Sequence, residues 1–165
     1  MNQNFQKTNL KMVKPKILLW LLVVGVVFLD QISKFYALRH FVLFEAIVVN
    51  DFWNWYLIYN KGVAFGFLSQ WEDSPRYFLI FLTLLIAIWL IVLMNKEKHF
   101  HNQMAYSLVI GGALGNLIDR VYHGMVIDFI QWHYQNYYWP SFNLADSAIS
   151  GGIFLLILFS FQKQK

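Results

Sequence analysis

Residues 77–94 read YFLIFLTLLIAIWLIVLM, an unbroken apolar run whose only polar member is Thr83. At about 1.5 Å per residue a helix of this length crosses most of a hydrocarbon core about 30 Å thick. The reading decides the fold class, because 58% of the 165 residues are hydrophobic, 19% are aromatic and only 13% carry charge, far from the balance of a soluble domain. One domain of several spanning helices fits in this length, but an anchor plus a separate soluble catalytic domain does not. Any activity must therefore be built from the membrane-embedded part. With no cysteine, disulfides, thiolate nucleophiles and thiolate metal sites are excluded; no metal or cofactor is expected.

Residues 144–161 form a second apolar stretch with Asp146 in its first turn, and residues 104–122 a third with a polar outer end. A lysine-rich start followed by the run Ile17–Leu29 has the outline of a secretory signal, but no small-x-small cleavage site follows. The apolar pattern resumes after Asp30, so one retained helix is expected over about 15–38. The chain is thus expected to be mainly α, a single domain over 1–165 with four transmembrane helices. Two outer loops, 39–76 and 121–143, should add a small extracytoplasmic β element and a short outer helix or loop. The aromatic run Phe52–Tyr59 is the strand candidate, and it reads equally well as an aromatic belt at the headgroups.

Charge sets the orientation. Lys7, Lys11, Lys14, Lys16, Lys96, Lys98, Lys163 and Lys165 all fall in the tails and the 95–103 loop, beside a single acid, Glu97. The excess of positive charge places both termini in the cytoplasm and the longer loops outside. The basic residues are topology signals, not a nucleic-acid footprint, and no nucleic-acid partner is expected.

Polar residues gather at the outer level. Asp30 and Lys34 stand i,i+4 on one helix face, where pairing lowers the cost of both charges. Ser33 beside Lys34 does not form a nucleophile–base dyad, because adjacent helical residues do not face each other. In the third helix Gly111 and Gly115 make a small-xxx-small pattern for close packing in lipid, followed at helical spacing by Asn116, Asp119 and Arg120. Asp128 lies in the strand-like Val126–Ile130, and Asn60 in the other outer loop can reach the same level. Asn143 is a candidate N-cap with Asp146 at the third helical position, where a carboxylate serves the helix start. Two carboxyls brought together in a low-dielectric setting do more: one holds its proton while the other stays ionised, and the pair can activate a water. An ionisable relay for transport would have to continue to the cytoplasmic side, and the inner halves of the second and fourth helices are apolar.

The motifs Asp30-Gln31-Ile32-Ser33-Lys34, Asn60-Lys61-Gly62-Val63-Ala64-Phe65, Gly111 through Arg120 leading into Val126–Phe129, and Phe142-Asn143-Leu144-Ala145-Asp146 occur in this order. In these, from about Lys16 to Phe161, the chain resembles the bacterial lipoprotein signal peptidases, also called signal peptidase II. The resemblance implies an aspartyl endopeptidase of the bacterial inner membrane that removes signal peptides from diacylglyceryl-modified prolipoproteins. By that carry-over Asp128 and Asp146 are the catalytic pair, while Asp30, Lys34, Asn60, Gly62, Asn116, Arg120, Asn143 and Ala145 shape or support the site. It also implies contact with membrane lipids, cleavage on the periplasmic side, and inhibition by the cyclic peptide globomycin.

Overall fold

The computed structural model describes residues 3–62 and 74–162, with side chains over 16–62 and 76–161. Among these described residues four helices, α1 (Gln3–His40), α2 (Ser74–Lys96), α3 (Phe100–Tyr122) and α4 (Leu144–Gln162), carry a four-stranded antiparallel sheet of β1 (Ala46–Asn50), β2 (Trp53–Asn60), β3 (Val126–Tyr134) and β4 (Tyr137–Tyr138). Residues 63–73 of the expected outer loop 39–76, with Val63, Ala64 and Phe65 of the second motif, lie outside the described residues. The first helix starts at Gln3 rather than near Pro15; a proline forfeits one backbone hydrogen bond without necessarily ending a helix.

Among the described residues, three helices are long and apolar enough to cross a membrane: Lys16–His40, Arg76–Lys96 and Leu144–Phe161. At most 17% of each window is buried inside the protein, so side chains such as Phe28, Phe81, Trp89 and Phe154 point outward, where only lipid would accept so much apolar surface. Four spans are expected from the sequence, but α3 is not among these three. The reason is its place. It packs against α1, α2 and α4 together, and Asn102, Ser107, Asn116 and Asp119 on it are buried in protein contacts.

Glycines set the closeness of that packing. A β-carbon on Gly111 would lie 2.7 Å from Val26 Cβ, and one on Gly115 would lie 2.6 Å from Asp30 Oδ2, so α1 runs parallel to α3 along this stripe. A β-carbon on Gly112 would strike the Ala145 carbonyl, and on Gly152 it would meet Val109 Cγ2 at 2.6 Å, so α4 runs antiparallel to α3. Small residues that admit a neighbouring backbone are the usual source of helix affinity in lipid. Val23, Leu90, Met94, Val109 and Ile110 fill the remaining core.

The sheet sits on the end of α1, where Ala37 packs with Leu57, Ile127 and Phe129. The aromatic run from Trp53 to Tyr59 thus lies in β2, which ends at Asn60, and every residue of β1 is exposed. Two features of the sheet position the site. The register of β2 on β3 shifts between Trp55 and Ile58, just before Ile58 pairs with Asp128, and such irregularities re-aim the side chains beside them. Beyond it, Phe142 is stitched to β3: Ile130 and Phe142 exchange backbone hydrogen bonds of 2.9 Å, and the Phe129 amide donates to the Phe142 carbonyl at 3.1 Å. Phe142 immediately precedes α4 and its cap.

Candidate active site

The start of α4 is a reciprocal cap. Asn143 Oδ1 accepts the Asp146 amide at 2.9 Å, and Asp146 Oδ2 accepts the Asn143 amide at 3.3 Å, which satisfies two N–H groups that a helix start leaves open. A third, the Ala145 amide, donates to Asp30 Oδ1 of α1 at 2.9 Å. That bond explains why Ala145 is fully buried between Asp30 and the backbone of α3.

Asn143 also reaches across to β3. Its Nδ2 donates to Asp128 Oδ1 at 2.7 Å, to the Ile127 carbonyl at 3.3 Å and to Asn116 Oδ1 at 3.1 Å. One asparagine therefore touches both aspartates. Asn116 completes the link from α3, donating from Nδ2 to Asp146 Oδ1 at 2.8 Å. The other oxygen of Asp128 accepts Asn60 Nδ2 at 2.9 Å, while Asn60 Oδ1 accepts the Gly62 amide at 2.8 Å. Gly62 has φ +77°, and a β-carbon there would also press on Leu79 at 2.7 Å, so glycine is required on two counts.

Asp128 is 1% exposed. Burial, opposed in part by the hydrogen bonds from Asn60 and Asn143 and reinforced by the charge of Asp146, pushes its carboxyl up to about 7.

Behind the pair lies a buried ionic network. Lys34 Nζ donates to Asp30 Oδ2 at 2.7 Å, Asp119 Oδ2 at 2.7 Å and Asn116 Oδ1 at 3.0 Å, which uses all three of its N–H groups. Asp119 Oδ2 also accepts the Ile127 amide at 3.1 Å, and so anchors the strand next to Asp128. Ser33 Oγ bonds the Asp30 carbonyl at 2.7 Å, while Lys34 is turned to its acids, so no Ser33–Lys34 dyad forms.

The predicted residues Asp30, Lys34, Asn60, Gly62, Asn116, Asp128, Asn143, Ala145 and Asp146 are thus joined by direct hydrogen bonds into one cluster. Arg120 stands differently. Its Nη1 donates to the carbonyl of Asn116 at 3.3 Å, and it acts on Asp146, Asp119 and Asp128 through space rather than by hydrogen bonds.

Two contacts go beyond those expected from the sequence. Gln31 Nε2 donates to Asp119 Oδ1 at 2.9 Å and to the Gly115 carbonyl at 3.2 Å, tying α1 to α3. Asp119 shares Lys34 with Asp30, although only the i,i+4 pair was expected. The available signal was their polarity in spans that lipid would otherwise penalise.

The sequence matches the family model described as Signal peptidase (SPase) II over residues 22–162. The chain belongs to the signal peptidase II family. Relatives named lipoprotein signal peptidase include one from Xanthomonas oryzae pv. oryzae (strain PXO99A), 44% identical over 151 residues, covering 88% of this chain and 90% of that one. Another from Xylella fastidiosa (strain M12) is 44% identical over 154 residues, covering 88% and 91%. The fold is similar to a solved bacterial membrane enzyme, determined by the in meso method at 1.9 Å resolution, with a TM-score of 0.77 and 35% identity over 85% of this chain and 90% of that one. As a signal peptidase II family member with three apolar helices of spanning length, the chain is a membrane protein.

Proposed function

We propose that the chain is an aspartyl endopeptidase that cleaves signal peptides from diacylglyceryl-modified prolipoproteins, just before the lipidated cysteine, with Asp128 and Asp146 as the catalytic pair. The observation that carries the reading is Asn143, hydrogen-bonded at once to Asp128 and Asp146 in a family of signal peptidases. Such a junction holds two carboxyls toward one reacting centre.

In this mechanism Asp146, in the first turn of α4 where the helix dipole favours negative charge, is the carboxylate. It takes a proton from a water as the water oxygen attacks the scissile carbonyl. Asp128, the acid that burial keeps protonated, donates to the developing oxyanion. As the carbon–nitrogen bond breaks, Asp146 passes its proton to the leaving amine, and the re-forming carbonyl returns the other to Asp128. Arg120 acts on the pair through its field, and Asn60 with Gly62 holds Asp128 from the side of the outer loop. No metal, cofactor or nucleic acid takes part.

The setting belongs to the same proposal. The chain works as one catalytic domain in the bacterial inner membrane, among membrane lipids. It has α3 as a fourth span, both termini in the cytoplasm and the aspartates facing the periplasm. Support comes from the lysine distribution and from the position of the cluster, which lies at the end of the bundle opposite the Lys96–Lys98 turn.

The deciding experiment incubates the purified protein with a diacylglyceryl-modified precursor peptide and with its unmodified counterpart. Cleavage of the lipidated peptide alone, blocked by globomycin, is expected. Equal cleavage of the two peptides, or none of either, would overturn the substrate assignment.

A pH dependence follows from the same pair. With Asp128 poised near 7, the singly protonated pair is lost as pH rises through that value. The expected kcat therefore falls above about pH 7, approaching about tenfold per unit once the acid is fully ionised. A profile that stays flat from pH 6 to pH 9 would remove Asp128 from the role of acid.

A further inference from the structure

Arg76, in the first turn of α2, has no part in the cluster above, yet it grips the end of the helix that leads there. Its Nε donates to the carbonyl of Arg120 at 2.9 Å and its Nη2 to the carbonyl of Val121 at 2.6 Å. These are last-turn carbonyls of α3, which have no intrahelical partner, and a cation there also meets the negative end of the helix dipole. The chain then turns through Gly124, at φ +75°, where a β-carbon would come within 3.5 Å of Arg76 Nη1 and 3.6 Å of its Cδ and Cζ. The turn thus wraps the guanidinium, and β3 starts at Val126, two residues before Asp128.

The same helix touches the chain just beyond β2. Leu79, one turn along α2, lies under Gly62, whose amide holds Asn60 on Asp128. Asn60 and Val126 are register partners, so the end of β2 and the start of β3 lie side by side. The first two turns of α2 therefore touch the residue just past the end of β2 and the turn just before β3, the strand that carries Asp128.

We infer that Arg76 is a positioning residue for the proteolytic reaction: by holding the Arg120 and Val121 carbonyls and the Gly124 turn, it fixes Arg120 and Asp128 relative to the α4 start that carries Asp146. The inference rests on the function proposed above for its assay. The forked guanidinium is needed because two carbonyls on successive residues must be met at once. An ammonium keeps the charge but lacks the planar fork that matches the two carbonyls.

The test compares full-length wild type, Arg76→Gln and Arg76→Lys, purified in detergent, on the lipidated precursor peptide, with kcat expressed per folded enzyme. Misplacement of a reacting group by about an ångström can cost about a hundredfold, so Arg76→Gln is expected to lose between about ten- and a hundredfold in kcat. KM should stay within about threefold of wild type, because Arg76 does not meet the substrate. Arg76→Lys should recover part of the rate, which a role in folding alone would not produce once folded enzyme is counted. The inference is overturned if both variants keep the wild-type kcat, if the loss lies in KM, or if lost activity follows only the amount of folded protein. A wild type that fails to cleave the peptide would instead overturn the proposed function itself.

Discussion

Asp128→Asn and Asp146→Asn, each made alone, are expected to lower kcat on a lipidated precursor by about four orders of magnitude, the scale seen when one acid of a catalytic constellation is replaced isosterically. Neither asparagine can exchange a proton with water or the leaving amine. Both keep a planar group of the same size, so the bonds from Asn143, Asn60 and Asn116 retain partners of the right shape, although an amide nitrogen must now face one donor. Folding can be separated from chemistry by pH. The carboxyl of Asp128 is raised from 3.8 to about 7 in the folded protein, so ionising it costs stability. That cost is absent below the unfolded value, grows as pH rises from the unfolded to the folded value, and is constant above it. Wild-type stability should therefore decline relative to Asp128→Asn between about pH 4 and about pH 7, and then run parallel. An inactive variant that gains relative stability over this window identifies an acid kept for catalysis. If either variant cleaves within tenfold of wild type, the two aspartates are not the pair that does the chemistry.

The second large effect is expected at Lys34, which is 1% exposed and is the direct ionic partner of both Asp30 and Asp119, themselves 0% and 1% exposed. Lys34→Met keeps the length and apolar stem but leaves two buried acids without their counterion. Breaking a buried ion pair in this way costs about 3–5 kcal/mol. The melting temperature of the purified protein should fall by roughly 6–20 °C, using the usual shift per kcal/mol for a chain of this size. Activity should fall with it, since Asp30 caps Ala145 and Asp119 holds the Ile127 amide, the two backbone segments that carry Asp146 and Asp128. Neutralising the acids together, as Asp30→Asn and Asp119→Asn in the Lys34→Met background, should recover part of the loss, because the term being removed is shared among contacting residues. A Lys34→Met protein that melts within a degree or two of wild type would mean that the network stabilises nothing.

The glycine contacts explain why this network can be so tightly closed. Gly115 leaves room for the carboxylate of Asp30, and Gly112 for the carbonyl of Ala145, so two neighbouring helices reach α3 at the level where the charges lie. Close approach serves packing and electrostatics together: it excludes lipid and water from the acids while bringing their partners into range. The central position of α3 also accounts for its composition, since a helix surrounded by other helices need not be apolar all round.

Local sequence determined much about this protein. The run 77–94, the lysines at one set of ends and the i,i+4 spacing of Asp30 and Lys34 depend on neighbours along one helix or on composition, and these are legible without coordinates. So is the cap of α4, because Asn143 and Asp146 meet within three residues. What brings Asp128 to that cap is different in kind. It needs the bridge from Ile130 to Phe142, the shifted register of β2 on β3, and a lysine on α1 shared with Asp119 on α3. These contacts join residues 12 to 85 positions apart, from Ile130–Phe142 to Lys34–Asp119, and a one-residue change of register would turn Asp128 to the other face of the sheet. The sequence therefore decided which groups were available and at which end of the bundle they lay, while their meeting was decided by strand pairing and helix approach, whose energies are summed over the whole fold.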